Sequence, residues 1–342
     1  MDYIIIDNLK FLGLRWSLVF SIFSVVFFLL GVILAVAVVT LLERRLMASH
    51  QRRRGPNKAG VAGLLQPFAD AFKLMHQYTV LPKKSKNLLF LLAPIYSFFM
   101  SLLLWMFLPL NFFQMGLPYF SSFSLLAFIS LSSISLYSFV FLKASNNRYS
   151  LMGSIRAIAQ MISYELSLSL IYLTIFVLHE TTSLTVVLVE QYWVSNIWIL
   201  WPLYILYIIT IIAELNRLPF DLAEEESVLV AGFATEYSGL MFALFFLAEY
   251  GMMFIYSTLG VILFLGGIVM SVPASFEVLA FCFFINFHMM FLIWCRATFP
   301  RYRYDQLVKI GWKILLPLCG VLCSFYIFLH IILKYMVFTG LL

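Results

Sequence analysis

Residues 217–227, RLPFDLAEEES, set Asp221, Glu224, Glu225 and Glu226 within six positions of a chain that has only 16 acidic residues in 342. Glu165, Glu214 and Glu249 lie in or at the edge of long apolar runs, and Glu236 stands thirteen residues before Glu249. An ionised side chain at mid-bilayer costs about 2.5–3.5 kcal/mol even on the lenient insertion scale, so such residues face a bundle interior, where they pair or carry protons. At the rise of a helix, Glu165 is about 13 Å into its segment and Glu249 about 20 Å from Glu236. An ion pair with Arg217 or Arg156 accounts for one of these acids but not for several. Buried acids that also repel one another can hold and exchange protons near neutral pH, so a proton-conducting route is the better reading. For 217–227 alone, the bland alternative is a solvated loop.

The elements that position these acids are membrane helices. Hydrophobic residues make up 63% of the chain and charged ones 11%, against about 25% charged in soluble domains. The composition predicts an all-α polytopic membrane protein, one integral domain over 1–342. A span needs about 20 apolar residues, and eight are expected near 17–42, 88–108, 122–142, 157–178, 197–215, 237–263, 274–294 and 312–336. The first connection, Glu43 to Asn87, carries 10 of the 22 basic residues. Lys143, Arg148 and Arg156 belong to the third, Arg217 to the fifth, and Arg296, Arg301, Arg303, Lys309 and Lys313 to the seventh. The even-numbered connections have none, so the odd ones face the compartment of synthesis and both termini face away. The acidic stretch is thus on the inner face, in the one inner loop that is acidic. The acidic start, Met-Asp-Tyr-Ile-Ile-Ile-Asp, lacks the features of a cleaved leader, so neither a signal nor a transit peptide is expected.

The first connection also contains an amphipathic segment expected to lie along the inner interface. Leu64, Phe68, Ala71, Phe72 and Met75 follow helical spacing on one face, and Gln66, Asp70, Lys73 and Gln77 line another. A lipid-binding helix carries a Lys/Arg-rich polar face. This face has a carboxylate and two amides, which fits contact with a polypeptide or a polar ligand. No phosphate loop, dinucleotide fingerprint or haem-attachment motif is present. Cys319 and Cys323 are four apart in an apolar run with no His or Cys cluster beside them, so packing is favoured over a metal site. Cys282 and Cys295 are likewise in apolar surroundings, which argues against a disulfide framework. Any redox centre is expected in a partner.

Five blocks resemble subunit 1 of the proton-pumping NADH:quinone oxidoreductase, respiratory complex I, in order and spacing over most of the chain. They are ERRLMASHQRRRGPNKAGVAGLLQPFADAFKL at 43–74, RAIAQMISYE at 156–165, ELNRLPFDLAEEES at 214–227, EYSGLMFALFFLAEY at 236–250 and RATFPRYRYDQLVKIGWKILLP at 296–317. The resemblance implies an eight-helix core with a long, tilted first helix and inner loops forming the floor and mouth of a ubiquinone chamber. Arg53, Asp70, Arg301, Arg303 and Asp305 match positions that line or brace that chamber. Glu165, Glu214, Glu236 and Glu249, with Asp221, Glu224, Glu225 and Glu226, would form a polar route from it into the membrane, with Arg217 as a structural or network base. Ubiquinone would be the substrate, with FMN and iron–sulfur clusters held by partner subunits. Those partners would include the quinone-site and terminal-cluster subunits of the peripheral arm and small neighbours in the membrane arm.

Two positions depart from the family pattern. Val228 stands where a Glu is common, with an extra acid at Glu225, and His76-Gln77 stands where Lys-Glu is usual. On a helix, 225 and 228 share a face, so Glu225 could replace the missing acid about a turn away. A related membrane-bound hydrogenase subunit and a stand-alone transporter are the rival readings. The intact Gly-Pro-Asn and RYRYDQL blocks favour the quinone enzyme over the first, and the lack of internal symmetry disfavours the second. A purely structural anchor leaves the buried glutamates unexplained. The 36 Phe and 18 Tyr suggest AT-rich codons and an organelle-encoded protein of the mitochondrial inner membrane, odd connections toward the matrix. A bacterial plasma membrane is the alternative.

Overall fold

The computed structural model describes residues 2–82, 85–109, 121–142, 147–222, 232–270 and 276–338, with the backbone alone for 2–22. Glu224, Glu225, Glu226 and Val228 lie outside them. Helix α1, Asp2–His50, runs 49 residues without a proline to break it, about 73 Å at helical rise. It ends where Arg52 turns left-handed at φ 53°. The Arg52 N–H then bonds Ser49 O and the Arg53 N–H bonds Ala48 O, which satisfies the last carbonyls of the helix. The amphipathic helix α2 is Gln66–His76, with a proline in its first turn. It lacks Leu64, which precedes it.

Five further elements follow: α3, Asn87–Trp105; α4 and α5, Ser124–Ser135 and Tyr137–Phe141, one span bent at Leu136; α6, Arg148–His179; and α7, Leu184–Glu190. The start of α6 falls nine residues before the expected 157. Hydropathy ends the span at its charged residues, but a helix continues past the bilayer, and here the Asn147 side chain caps it by accepting from the Tyr149 N–H. After the short α8, Asn196–Ile199, α9 is Trp201–Glu214. Then come α10, Gly239–Gly260, a π-helical turn Val261–Leu265, α11, Gly266–Met270, and α12, Glu277–Thr298. The chain closes with α13, Tyr304–Lys309, a second π-helical turn Ile310–Leu315 and α14, Leu316–Phe338.

Among the described residues, seven helices are long and apolar enough to cross a membrane, and α9 is a shorter apolar one. The protein is an all-α polytopic membrane protein. The α10 span is the central pillar, with 83% of its most apolar window buried against 22% for the last span. It packs on α3, α1 and α12, while α6 packs on α9 and α14. The first π turn leaves carbonyls without their usual helical donors. Gln191 Nε2 donates to Ile262 O at 2.9 Å and Asn196 Nδ2 to Leu263 O at 2.8 Å, so the α7–α8 connection seals that defect. Nearby, Glu180 pairs with Lys334 and His330, which hold its carboxyl below the usual range.

Candidate functional site

The C-terminal ends of α1, α9 and α12 meet the middle of α10 at Glu43. Phe28, Val32, Val36, Val39 and Glu43 are all buried, and their spacing of three and four makes one stripe of α1. Glu43 is therefore carried into the bundle by the same register that buries the valines, with 4% of its surface exposed. Arg217 Nη1 meets its Oε2 at 2.9 Å, and Arg296 Nη1 meets Oε1. The Arg217 guanidinium also lies 4.4 Å over the Tyr250 ring, a cation–π contact. Burial works against its charge, but Glu43 and Tyr250 outweigh that and raise its proton affinity.

Arg217 reaches Glu43 because α9 stops abruptly. Asn216 adopts φ 50°, and the Asn216 and Arg217 N–H groups bond Ala213 O and Ile212 O, the same helix-ending pattern as at Arg52. Arg217 thus has its ion-pair partner on the first helix. Arg156 instead lies 5.9 Å from the centre of the Tyr304 ring.

A cavity of about 530 Å³ opens beside this knot, lined by Glu43, Arg44, Met47, Arg53, Arg54 and Tyr250 among others. Arg53 lines it, its Nε donating to Gln51 Oε1 at 2.7 Å. Asp70 is not in the wall. It accepts from Arg44 Nη1 at 2.6 Å and from Gln66 Nε2 at 3.0 Å, so it braces a guanidinium that is. Arg301 Nη2 donates to the buried Asp221 at 2.9 Å, and Tyr302 stacks on Phe220 at 5.7 Å. These contacts tie the seventh connection to the start of the acidic one. Arg303 and Asp305 open α13 and are not among the residues lining the cavity.

The carboxylates form a second centre. Glu214 is 5% exposed and its Oε2 has no hydrogen-bond partner among the described residues. It lines a cavity of about 60 Å³ together with Glu249, Ser97, Ser135, Ser138 and Tyr256. The rest of the lining is largely apolar, including Phe139, Met161, Phe245 and Met252, and by volume alone the cavity has room for several waters at about 10–15 Å³ each. Glu165 accepts from the Ser133 hydroxyl and is close enough to repel Glu214. Glu236 accepts from Asn147 Nδ2 at 2.7 Å and does not line this cavity. The structure therefore brings Glu214, Glu249 and Glu165 together and sets Glu236 apart.

Three contributors escaped sequence reasoning: Glu43, Tyr250 and Gln160. The first has a readable signal, since it extends the apolar stripe of α1 by one more turn. Gln160, fully buried, donates from Nε2 to Ala213 O and to Phe220 O, both at 2.7 Å. Nothing in an apolar helix sequence marks such an amide in advance.

A family model described as NADH dehydrogenase matches residues 23–327. The chain is 40% identical over 329 residues to NADH-ubiquinone oxidoreductase chain 1 of Chondrus crispus, covering 90% of this chain and 98% of that one. The protein of that name from Hyaloraphidium curvatum is 41% identical over 291 residues, at 84% and 91% coverage. A bacterial relative, an NADH-quinone oxidoreductase subunit of Rickettsia canadensis (strain McKiel), is 40% identical over 322 residues, at 90% and 93%.

Proposed function

The chain belongs to the NADH dehydrogenase family, as a membrane subunit of respiratory complex I, and from that premise we propose that it forms much of the quinone chamber and links quinone reduction to proton translocation. The observation that carries this reading is the adjacency of two inner-face centres. One is a cavity walled by guanidinium groups and a tyrosine ring, the other a small, largely apolar space holding Glu214 and Glu249 with the hydroxyls of Ser97, Ser135, Ser138 and Tyr256. The larger falls within the range of about 300–1,000 Å³ typical of ligand sites. Its Arg and Tyr donors suit the oxygens of a quinone head group, which gain negative charge on reduction. Glu43 and Tyr250 line that cavity, and Arg217, bound to both, lies three residues from Glu214. A change of charge at the head group has a short electrostatic path to the acids.

The inner face on this reading is the matrix side of a mitochondrial inner membrane, or the cytoplasmic side of a bacterial one; relatives come from both kinds of source. The chain supplies no ligand set for haem, flavin or an iron–sulfur cluster, so electrons reach the quinone from a cluster in an adjoining peripheral-arm subunit, itself fed through FMN. Electron paramagnetic resonance of the purified subunit is expected to show no stoichiometric centre after reduction. A stoichiometric signal would overturn this assignment.

Asp70→Asn tests the chamber. The Arg44–Asp70 pair is partly exposed, with side-chain exposures of 52% and 34%, and such pairs contribute at most about 1 kcal/mol to stability. The variant should assemble normally and lose up to about fivefold in NADH:quinone turnover, with NADH oxidation by an artificial hydrophilic acceptor unchanged. Equal loss of both activities would assign Asp70 to assembly.

A further inference from the structure

We propose that Gln160 is a positioning residue that makes the quinone-side and proton-side ends of the fifth connection move as one. This rests on the reading above and extends it. The connection leaves α9 immediately after Glu214, and by residue 221 it has reached Asp221, which is bound to Arg301. Between them the backbone turns through Asn216 and Phe220. One side chain holds both ends: the Gln160 amide gives one N–H to Ala213 O, next to Glu214, and the other to Phe220 O, next to Asp221.

The clamp stands on a rigid support. Gln160 lies in α6 and is fully buried. One turn on, the Tyr164 ring packs on Phe220 with centroids 5.8 Å apart, and its hydroxyl donates to Leu307 O at 2.9 Å. Beside it on α6, the Ser163 hydroxyl accepts from Trp312 Nε1 at 3.0 Å. One face of α6 thus fixes the acidic connection and the seventh connection against each other. A displacement of the Arg301–Asp221 pair at the chamber side is carried to Phe220, through the amide to Ala213, and so to the Glu214 carboxylate. A packing residue of the same volume cannot do this, because it bonds neither carbonyl.

The test uses the assembled complex in coupled membranes. Gln160→Met keeps the length and removes both bonds. Gln160→Glu keeps one donor while its carboxyl is neutral and none once it ionises, when a negative charge faces two carbonyl oxygens. Gln160→Met is expected to assemble, to keep the KM for a short-chain quinone, and to lose about tenfold in kcat. Gln160→Glu should be intermediate at acid pH and fall toward Gln160→Met as pH rises, a limb absent from the wild type. The groups around this amide, Glu214, Asp221, Arg301 and Tyr164, are common to all variants, so a new limb belongs to residue 160.

Wild-type kinetics in both variants, a loss confined to KM, or Gln160→Glu without the new pH limb would overturn the proposal. Failure of both variants to assemble would overturn it too, by making Gln160 a folding element. Glu214→Gln run alongside separates the two levels. Normal turnover there removes the proton-route reading itself, whereas a stalled Glu214→Gln beside a wild-type Gln160→Met removes only the clamp.

Discussion

Glu214→Gln is expected to stall the assembled enzyme, lowering quinone-linked electron transfer and proton translocation together by about a hundredfold, the scale of losing a positioned proton carrier. The substitution keeps shape and hydrogen-bonding capacity but removes the titrating group from the cavity shared with Glu249. In a tightly coupled machine a blocked proton step also stops the redox step, so both rates should fall in proportion. A surface substitution would stay within about 0.5 kcal/mol, but a carboxylate with 5% exposure is not at the surface. Assembled complex, quinone reductase rate and membrane potential should be measured on the same preparations. Normal coupled turnover would remove Glu214 from the route.

The second large effect is on assembly. Glu43→Ala leaves the guanidiniums of Arg217 and Arg296 facing each other, the former only 12% exposed. Removing one partner of a buried ion pair costs about 3–5 kcal/mol, a large part of the about 5–15 kcal/mol that holds a typical protein together. Native electrophoresis should show little assembled complex. Arg217→Gln should be milder, because Glu43 keeps Arg296, and combining it with Glu43→Gln should recover assembly relative to Glu43→Ala. If Glu43→Ala assembles and resists heat like the wild type, the knot does not hold these helices together.

Much of the helical layout was legible because burial in a bilayer demands long apolar runs, and the positions of Glu165, Glu214 and Glu249 stood out against that background. The pairing of charges was not. The sequence offered Arg217 an ion pair with one of the membrane glutamates only as the alternative to a proton route, and its partner is a different acid 174 positions away. Which of two nearby faces a helix end presents depends on one left-handed residue, Asn216, and a sequence states only that Asn tolerates that conformation. The resemblance implied a chamber position for Asp70, but its contact with Arg44 depends on the packing of α2 against α1. The N-terminal extension of α6 was hidden for another reason. Arg148 and Arg156 look like loop to a hydropathy window, and that extension brings in Asn147, the donor to Glu236.

The contacts at Glu43 also set an order of events during synthesis. Its two partners lie 174 and 253 residues downstream. At about 5–20 residues per second, translation alone separates Glu43 from Arg296 by roughly 13–50 s. Until residue 217 is made, the Glu43 carboxylate has neither of its two guanidinium partners. Arg217 arrives first and Arg296 only at the end of α12, so the knot closes before the last span, α14, has been made. A nascent chain halted between these two arginines has a charge-neutral Glu43–Arg217 pair whose Oε1 still lacks its guanidinium, so unfinished and finished chains differ at this site.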